Sequence, residues 1–149
     1  VLLQFKNVGI QNFPKNISIN LIDVIDLNTK SKHSSHSKLK GITQISSKGF
    51  YYIHILFGLP KIEFEAVLAH ELLHVWLYNN QNTLPKELEE GFCNLGRYLI
   101  YINDNTHFSQ IHLTAMENDK SQNYGEKYRN LRDELKKLGW EKLISKIIN

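Results

Sequence analysis

The chain has 149 residues, 42% hydrophobic and 11% aromatic, which suffices for one buried core and is short for two ordinary domains. Its net charge of +3 is spread along the sequence, with a local concentration only from Lys30 to Lys48, so it lacks the sustained basic face of a nucleic-acid binder. No apolar run approaches the roughly 18 residues of a membrane span, and the single cysteine, Cys93, excludes an internal disulfide.

These features imply a single domain, 1–149, with no nucleic-acid or membrane partner. The lone thiol fits a reducing compartment, and Val1–Phe5 lacks a secretory signal, so a cytoplasmic location is expected. Val1 in place of Met reads as the start of an excised domain or processed product.

In chain order, Ile17–Leu27 reads as a strand or a strand with a bend, carrying Ile17, Ile19, Leu21, Val24, Ile25 and Leu27. Lys30–Lys38 has no apolar periodicity and reads as a polar loop. Its two histidines, His33 and His36, have no acidic or cysteine neighbour and read as solvated rather than as a second metal site. Gly41–Ser46 and Phe50–Leu56 read as two further strands joined by a turn at Ser47-Lys48-Gly49.

After Pro60 a long apolar helical pattern runs through Ile62, Phe64, Val67, Leu68, Leu72, Leu73, Val75, Trp76 and Leu77. Inside it stands His70-Glu71-Leu72-Leu73-His74, the H-E-x-x-H spacing. Residues four apart on a helix project from one face, so both imidazoles can converge on one zinc ion. Glu71 follows the first histidine and can act as general base toward a water the ion activates. Two imidazoles and a carboxylate in a buried helix cost several kcal/mol unless satisfied, and a metal satisfies them directly.

A catalytic zinc needs a third protein ligand. The helix expected from Pro85 to Asn103 offers Glu87, Glu89 and Glu90 in its first turns, above an apolar stripe of Phe92, Leu95, Leu99, Ile100 and Ile102. Glu87 is explained by dipole complementarity at the helix start. Glu90-Gly91-Phe92 resembles the element in which gluzincin aminopeptidases place their third ligand, which implies Glu90 over Glu89. Cys93, one turn beyond Glu90, reads as packing. A weaker helix is expected around Phe108–Met116, then amphipathic helices over Gln122–Leu138 and Trp140–Ile148, separated by Gly139.

Ile55–Lys61, Leu68–Leu77 and Glu89-Glu90-Gly91-Phe92-Cys93 together resemble the peptidase domain of the plant DA-one family, ubiquitin-activated growth-control peptidases with ubiquitin-interacting and LIM modules ahead of that domain. Glu117-Asn118-Asp119 and Tyr124–Arg129 are similar to its final segment, so the likeness runs from about residue 50 to the end, with the first forty residues looser. With one cysteine, this chain carries no LIM module, and it has no ubiquitin-interacting helix, so control by ubiquitin does not transfer with the likeness.

The resemblance implies an α+β, minimal gluzincin fold and zinc-dependent hydrolysis of peptide bonds in protein or peptide substrates. His70, His74 and Glu90 hold Zn2+ and Glu71 is the general base. Tyr124, placed by the same likeness, stabilises the oxyanion, with Tyr128 and His112 as alternatives. Asn94 or Asp119 would receive a ring N–H of a ligating histidine. Ubiquitin or a ubiquitinated protein is an implied partner, and a substrate strand is expected at the edge of the small sheet. The alternative is a catalytically weak, peptidase-like zinc domain that binds ubiquitin or another protein.

Overall fold

Alternation of Tyr51, Ile53 and Ile55 gives the strand β3 (Tyr51–Leu56) one fully buried face. The computed structural model describes residues 1–31 and 39–148, with the backbone alone at 122 and 123. β3 is the middle of a three-stranded sheet, parallel to β1 (Ile17–Ile22) and antiparallel to β2 (Gly41–Ile45). Gly49, with φ of 77°, closes the β2–β3 hairpin turn. His33 and His36 lie in 32–38, outside the described residues.

Lys40 O accepts from Leu56 N at 2.9 Å, and Ser46 N donates to Phe50 O at 2.9 Å. An antiparallel ladder alternates, so Lys40, Ile42, Gln44 and Ser46 turn their peptide groups to β3. The N–H and C=O groups of Gly41, Thr43 and Ile45 therefore face the other edge of the sheet, which no strand among the described residues pairs.

The expected Ile17–Leu27 strand is corrected. It ends at Ile22, and Val24–Lys30 forms a helix, α2. Asp23 decides the change, because its carboxylate accepts from Asp26 N at 2.8 Å and caps the new helix. Leu27 is then the residue that α2 buries.

Helix α3 (Lys61–Asn79) starts directly after Pro60 and is buried on nearly every side from Ala66 to Leu77, between the sheet and α4 (Lys86–Asp104). At Gly96 of α4, a side-chain carbon would stand 2.9 Å from Ala69 O, so the two helix backbones nearly touch beside His70. α5 (His107–Glu117) follows, capped by Thr106, whose hydroxyl accepts from Ser109 N.

The single helix expected over Gln122–Leu138 is two elements. Gln122–Glu126 is a π-helical turn and Lys127–Leu138 is α6. A Cβ at Gly125 would fall 2.1 Å from Asp119 O, so only glycine fits in this turn, and Ser121 Oγ accepts from Gly125 N. α7 (Trp140–Ile148) follows Gly139.

The sequence reading assigned no element to the first residues, where α1 (Leu2–Asn7) forms. Phe5 is fully buried and stacks on Phe13, and Trp76 Nε1 donates to Gln11 O at 2.8 Å, which lashes this segment across α3. Six residues are too few for a periodic pattern to register. The order of elements is α+β, and among the described residues no helix is long and apolar enough to cross a membrane.

Candidate metal centre

His70 and His74 leave α3 on the face turned to α4, and both are 7% exposed. Their Nε2 atoms are 3.2 Å apart. Glu90, from the second turn of α4, brings Oε2 to 3.3 Å from His70 Nε2 and Oε1 to 3.8 Å from His74 Nε2. Ligands bound at 2.0–2.1 Å by a tetrahedral zinc stand about 3.3–3.4 Å from one another, so the three side chains are already spaced as such an ion requires.

The outer nitrogens are spoken for. His70 Nδ1 faces Asn94 Oδ1 at 3.0 Å, and His74 Nδ1 faces Glu89 Oε1 at 2.7 Å. Each partner is an oxygen, so a neutral ring carries its proton on Nδ1 and offers its Nε2 lone pair to the shared site. Two lone pairs and a carboxylate converging out of water repel unless a cation lies between them, so the donor set fits a metal ion.

The three groups differ in protonation preference. Burial holds His70 below the ordinary imidazole value despite the Glu90 carboxylate at its ring. Burial opposes charge on His74 as well, but Cys93, Glu89 and Glu71 outweigh it and hold His74 well above that value. Burial alone would raise Glu90, yet the hydrogen bond and charge of His70, with the charge of His74, bring it to about 2. Without an ion, His74 and Glu90 thus favour their charged forms and His70 its neutral form.

Glu89 and Glu90 divide the work that the sequence left to a choice between them. Successive helical residues point about 100° apart, so Glu90 reaches the inner nitrogens and Glu89 the outer nitrogen of His74. Tyr78, one turn beyond His74, donates to the same Glu89 oxygen at 2.8 Å. Neither the Glu89 contact nor Tyr78 was anticipated from sequence, although Tyr78 sits four residues after His74 and so on its face of the helix.

Glu71 is 4% exposed and turns toward β2. Thr43 Oγ1 donates to Glu71 Oε2 at 2.8 Å, and Gly41 lies so close that an added Cβ would stand 2.9 Å from Glu71 Oε1. Gly91 allows the start of α6 to approach α4, since a Cβ there would meet Lys127 Cβ at 2.9 Å. Cys93 is fully buried, and burial raises its thiol to about 11, which suits packing.

The remaining sequence candidates stand elsewhere. Tyr124 is half-buried on the π-helical turn, which packs against α4, and among the described residues no polar contact joins it to the histidine pair. Tyr128 is buried, with its hydroxyl donating to Glu117 Oε1 at 3.3 Å. His112 stacks on Tyr101 with ring centroids 4.9 Å apart. Asp119 accepts from Ser121 N and, through its carbonyl, from Arg129, away from both histidines.

The DA1-like family model, described as Protein DA1, matches residues 22–99. The match therefore begins at the end of β1 and stops within α4, so the likeness seen in the final segment lies outside it. LIM domain-containing protein HDR3 of Oryza sativa subsp. japonica is 46% identical over 48 residues, 32% of this chain and 10% of that protein. Two Arabidopsis thaliana proteins are similar: Protein DA1-related 3 is 35% identical over 71 residues, 47% of this chain and 13% of its own, and Protein DA1 is 45% identical over 42 residues, 28% and 8%. The chain thus spans about a tenth of the length of these relatives. No solved structure matches it. Since the family model covers just over half of the chain, including the His70–His74 helix and the Glu90 carboxylate, the chain belongs to the DA1-like family.

Proposed function

We propose that this chain is a zinc-dependent peptidase of gluzincin type, acting on peptide bonds in protein or peptide substrates. The observation that carries the reading is the convergence of His70, His74 and Glu90 within ligand spacing, with Glu71, the residue after His70, held by Thr43 of β2. Zinc in that position, when bound, polarises a carbonyl and lowers the pKa of water to about 7.

The chain's own groups do the rest. Glu71 takes a proton from the attacking water and returns it to the departing amine nitrogen. Glu89 and Asn94 hold the two rings by Nδ1, so that neither imidazole turns as charge develops. The outward N–H and C=O groups of Gly41, Thr43 and Ile45 on β2 form main-chain hydrogen bonds to an extended substrate, with little discrimination among side chains. Tyr124 is proposed as donor to the oxyanion. Ubiquitin or a ubiquitinated protein is the partner that family membership suggests.

Metal analysis of the purified chain, together with Glu71→Gln, tests this reading. The wild type should hold one zinc per chain and cleave an unfolded protein substrate. The variant should keep the zinc and lose about 10²- to 10⁴-fold in turnover. Full activity after complete removal of zinc, or near-normal turnover in the variant, would sink it.

A further inference from the structure

We infer that Thr43 is a positioning residue for Glu71, fixing the base relative to the strand on which substrate is laid; this rests on the role given to Glu71 above. Three observations converge on it. Thr43 Oγ1 donates to Glu71 Oε2 at 2.8 Å, a charge-assisted contact between a sheet and a helix that are 28 residues apart in sequence. Gly41, two residues earlier and so on the same face of β2, leaves space that a Cβ would fill to within 2.6 Å of Val67 Cγ1 and 2.9 Å of Glu71 Oε1. The carboxylate therefore sits in a saddle, with one oxygen over the glycine and the other under the hydroxyl.

The third observation is the direction of the Thr43 backbone. Its N–H and C=O face the outer edge of the sheet, away from β3, while its side chain turns to α3. One residue thus presents main-chain groups to an incoming strand and a hydroxyl to the base. Displacement of β2 would carry both together, which keeps the base in register with the peptide bond it serves.

The hydroxyl also has a second acceptor, since Glu71 O lies 3.2 Å from Thr43 Oγ1. A hydroxyl has one proton and rotates freely. It donates to Oε2 at 2.8 Å, and the main-chain oxygen is its alternative acceptor. Valine matches threonine in shape and offers neither contact.

The test compares wild type, Thr43→Val, Thr43→Ser and Gly41→Ala as full chains with zinc content measured. It adds a double-mutant cycle of Thr43→Val with Glu71→Ala in the unfolding of the metal-free protein. Thr43→Val should retain zinc and KM within about twofold and lose about tenfold in kcat, with Thr43→Ser restoring most of it. Gly41→Ala should also lower kcat with zinc retained, since its Cβ would crowd Glu71 together with Val67. The cycle should show a coupling of about tenfold in the unfolding equilibrium, the scale of a hydrogen bond to a charged group. Unchanged kcat in Thr43→Val, loss of zinc or a matching rise in KM, or coupling below about twofold would overturn the assignment. If Thr43→Val fails to fold, the serine and Gly41→Ala variants decide it, and wild-type kcat in Gly41→Ala counts against it. Inactivity of Glu71→Gln beside a fully active Thr43→Val would fault the positioning role alone, whereas an active Glu71→Gln would fault the peptidase reading itself.

Discussion

Helices α3 and α4 are both 19 residues long and cross at Ala69 and Gly96, yet they are built on opposite plans. α3 is buried on nearly all sides, so its two histidines and Glu71 have almost no water to turn to. α4 is amphipathic, burying Phe92, Leu95 and Leu99 while leaving Ile102 exposed. The two histidines and Glu71 are therefore on the helix that has little freedom to orient them. Glu89, Glu90 and Asn94, the groups that aim the imidazoles, all come from the first half of α4. A buried reactive helix gains its orientation from an amphipathic neighbour, whose polar residues lie where the apolar stripe meets the site.

Removing the α4 ligand should have the largest effect on the centre. Glu90→Ala should lower zinc affinity by well over the roughly 10- to 100-fold typical of an outer partner, since one of three protein ligands is gone. Competition with a chelator measures it directly. Equal retention of zinc by Glu90→Ala and Glu89→Ala would show that the two carboxylates do not divide the work as their geometry implies.

The difference in burial predicts a difference in cost for equivalent truncations. Leu73→Ala, at a fully buried position of α3, should lose about 2–5 kcal/mol of stability. Ile102→Ala, at a position 42% exposed on α4, should stay within about 0.5 kcal/mol. Denaturant unfolding of the metal-free chain gives both values, and similar losses at the two positions would erase the contrast.

The parts legible in the sequence are those set by local geometry. H-E-x-x-H converges because helical spacing makes it do so, and Pro60 and Pro85 mark the helix starts. Glu89 and Glu90 were separable only by resemblance, because adjacent residues give the same composition signal and differ only in which side of a ring they meet. Thr43 carried no local signal at all, being joined to Glu71 across 28 positions. Gly96 did carry one, a glycine inside a helical pattern, whose meaning is the close crossing of α3 and α4. Asp23-Val24-Ile25-Asp26 held a capping signal that the β-branched residues obscured. Gly125 of the π-helical turn fits close against Asp119, and the turn itself could not be read from periodicity.

The proposed oxyanion donor stands outside both helices, which makes it the sharpest test of whether the site is complete in α3 and α4. Tyr124→Phe should lower kcat by about 10- to 1,000-fold with zinc content and KM nearly unchanged, because a hydroxyl aimed at the oxyanion acts only as negative charge develops. Tyr128→Phe and His112→Ala provide the comparison. A silent Tyr124→Phe would leave a backbone amide, or one of those two residues if its variant carries the loss, as the donor.

The smallest expected effect separates the two imidazoles. His74 Nδ1 donates to a carboxylate that also receives Tyr78, whereas His70 Nδ1 donates to the neutral amide of Asn94. Loss of an outer partner typically costs about 10- to 100-fold in metal affinity. Asn94→Ala should fall in that range, because alanine offers His70 Nδ1 no acceptor in place of Asn94 Oδ1, which stands 3.0 Å from it. Glu89→Gln keeps an oxygen for His74 but removes the charge that strengthens the bond, so its loss should lie at the lower end, about tenfold. Tyr78→Phe should be milder again, since it only frees one lone pair of Glu89. Zinc affinities ordered Asn94→Ala, Glu89→Gln, Tyr78→Phe, from weakest binding to strongest, would establish that α4 orients the pair through hydrogen bonds. A reversed order, with Glu89→Gln the most damaging, would show that its negative charge, acting through His74, contributes more to holding the ion than the aim of either ring.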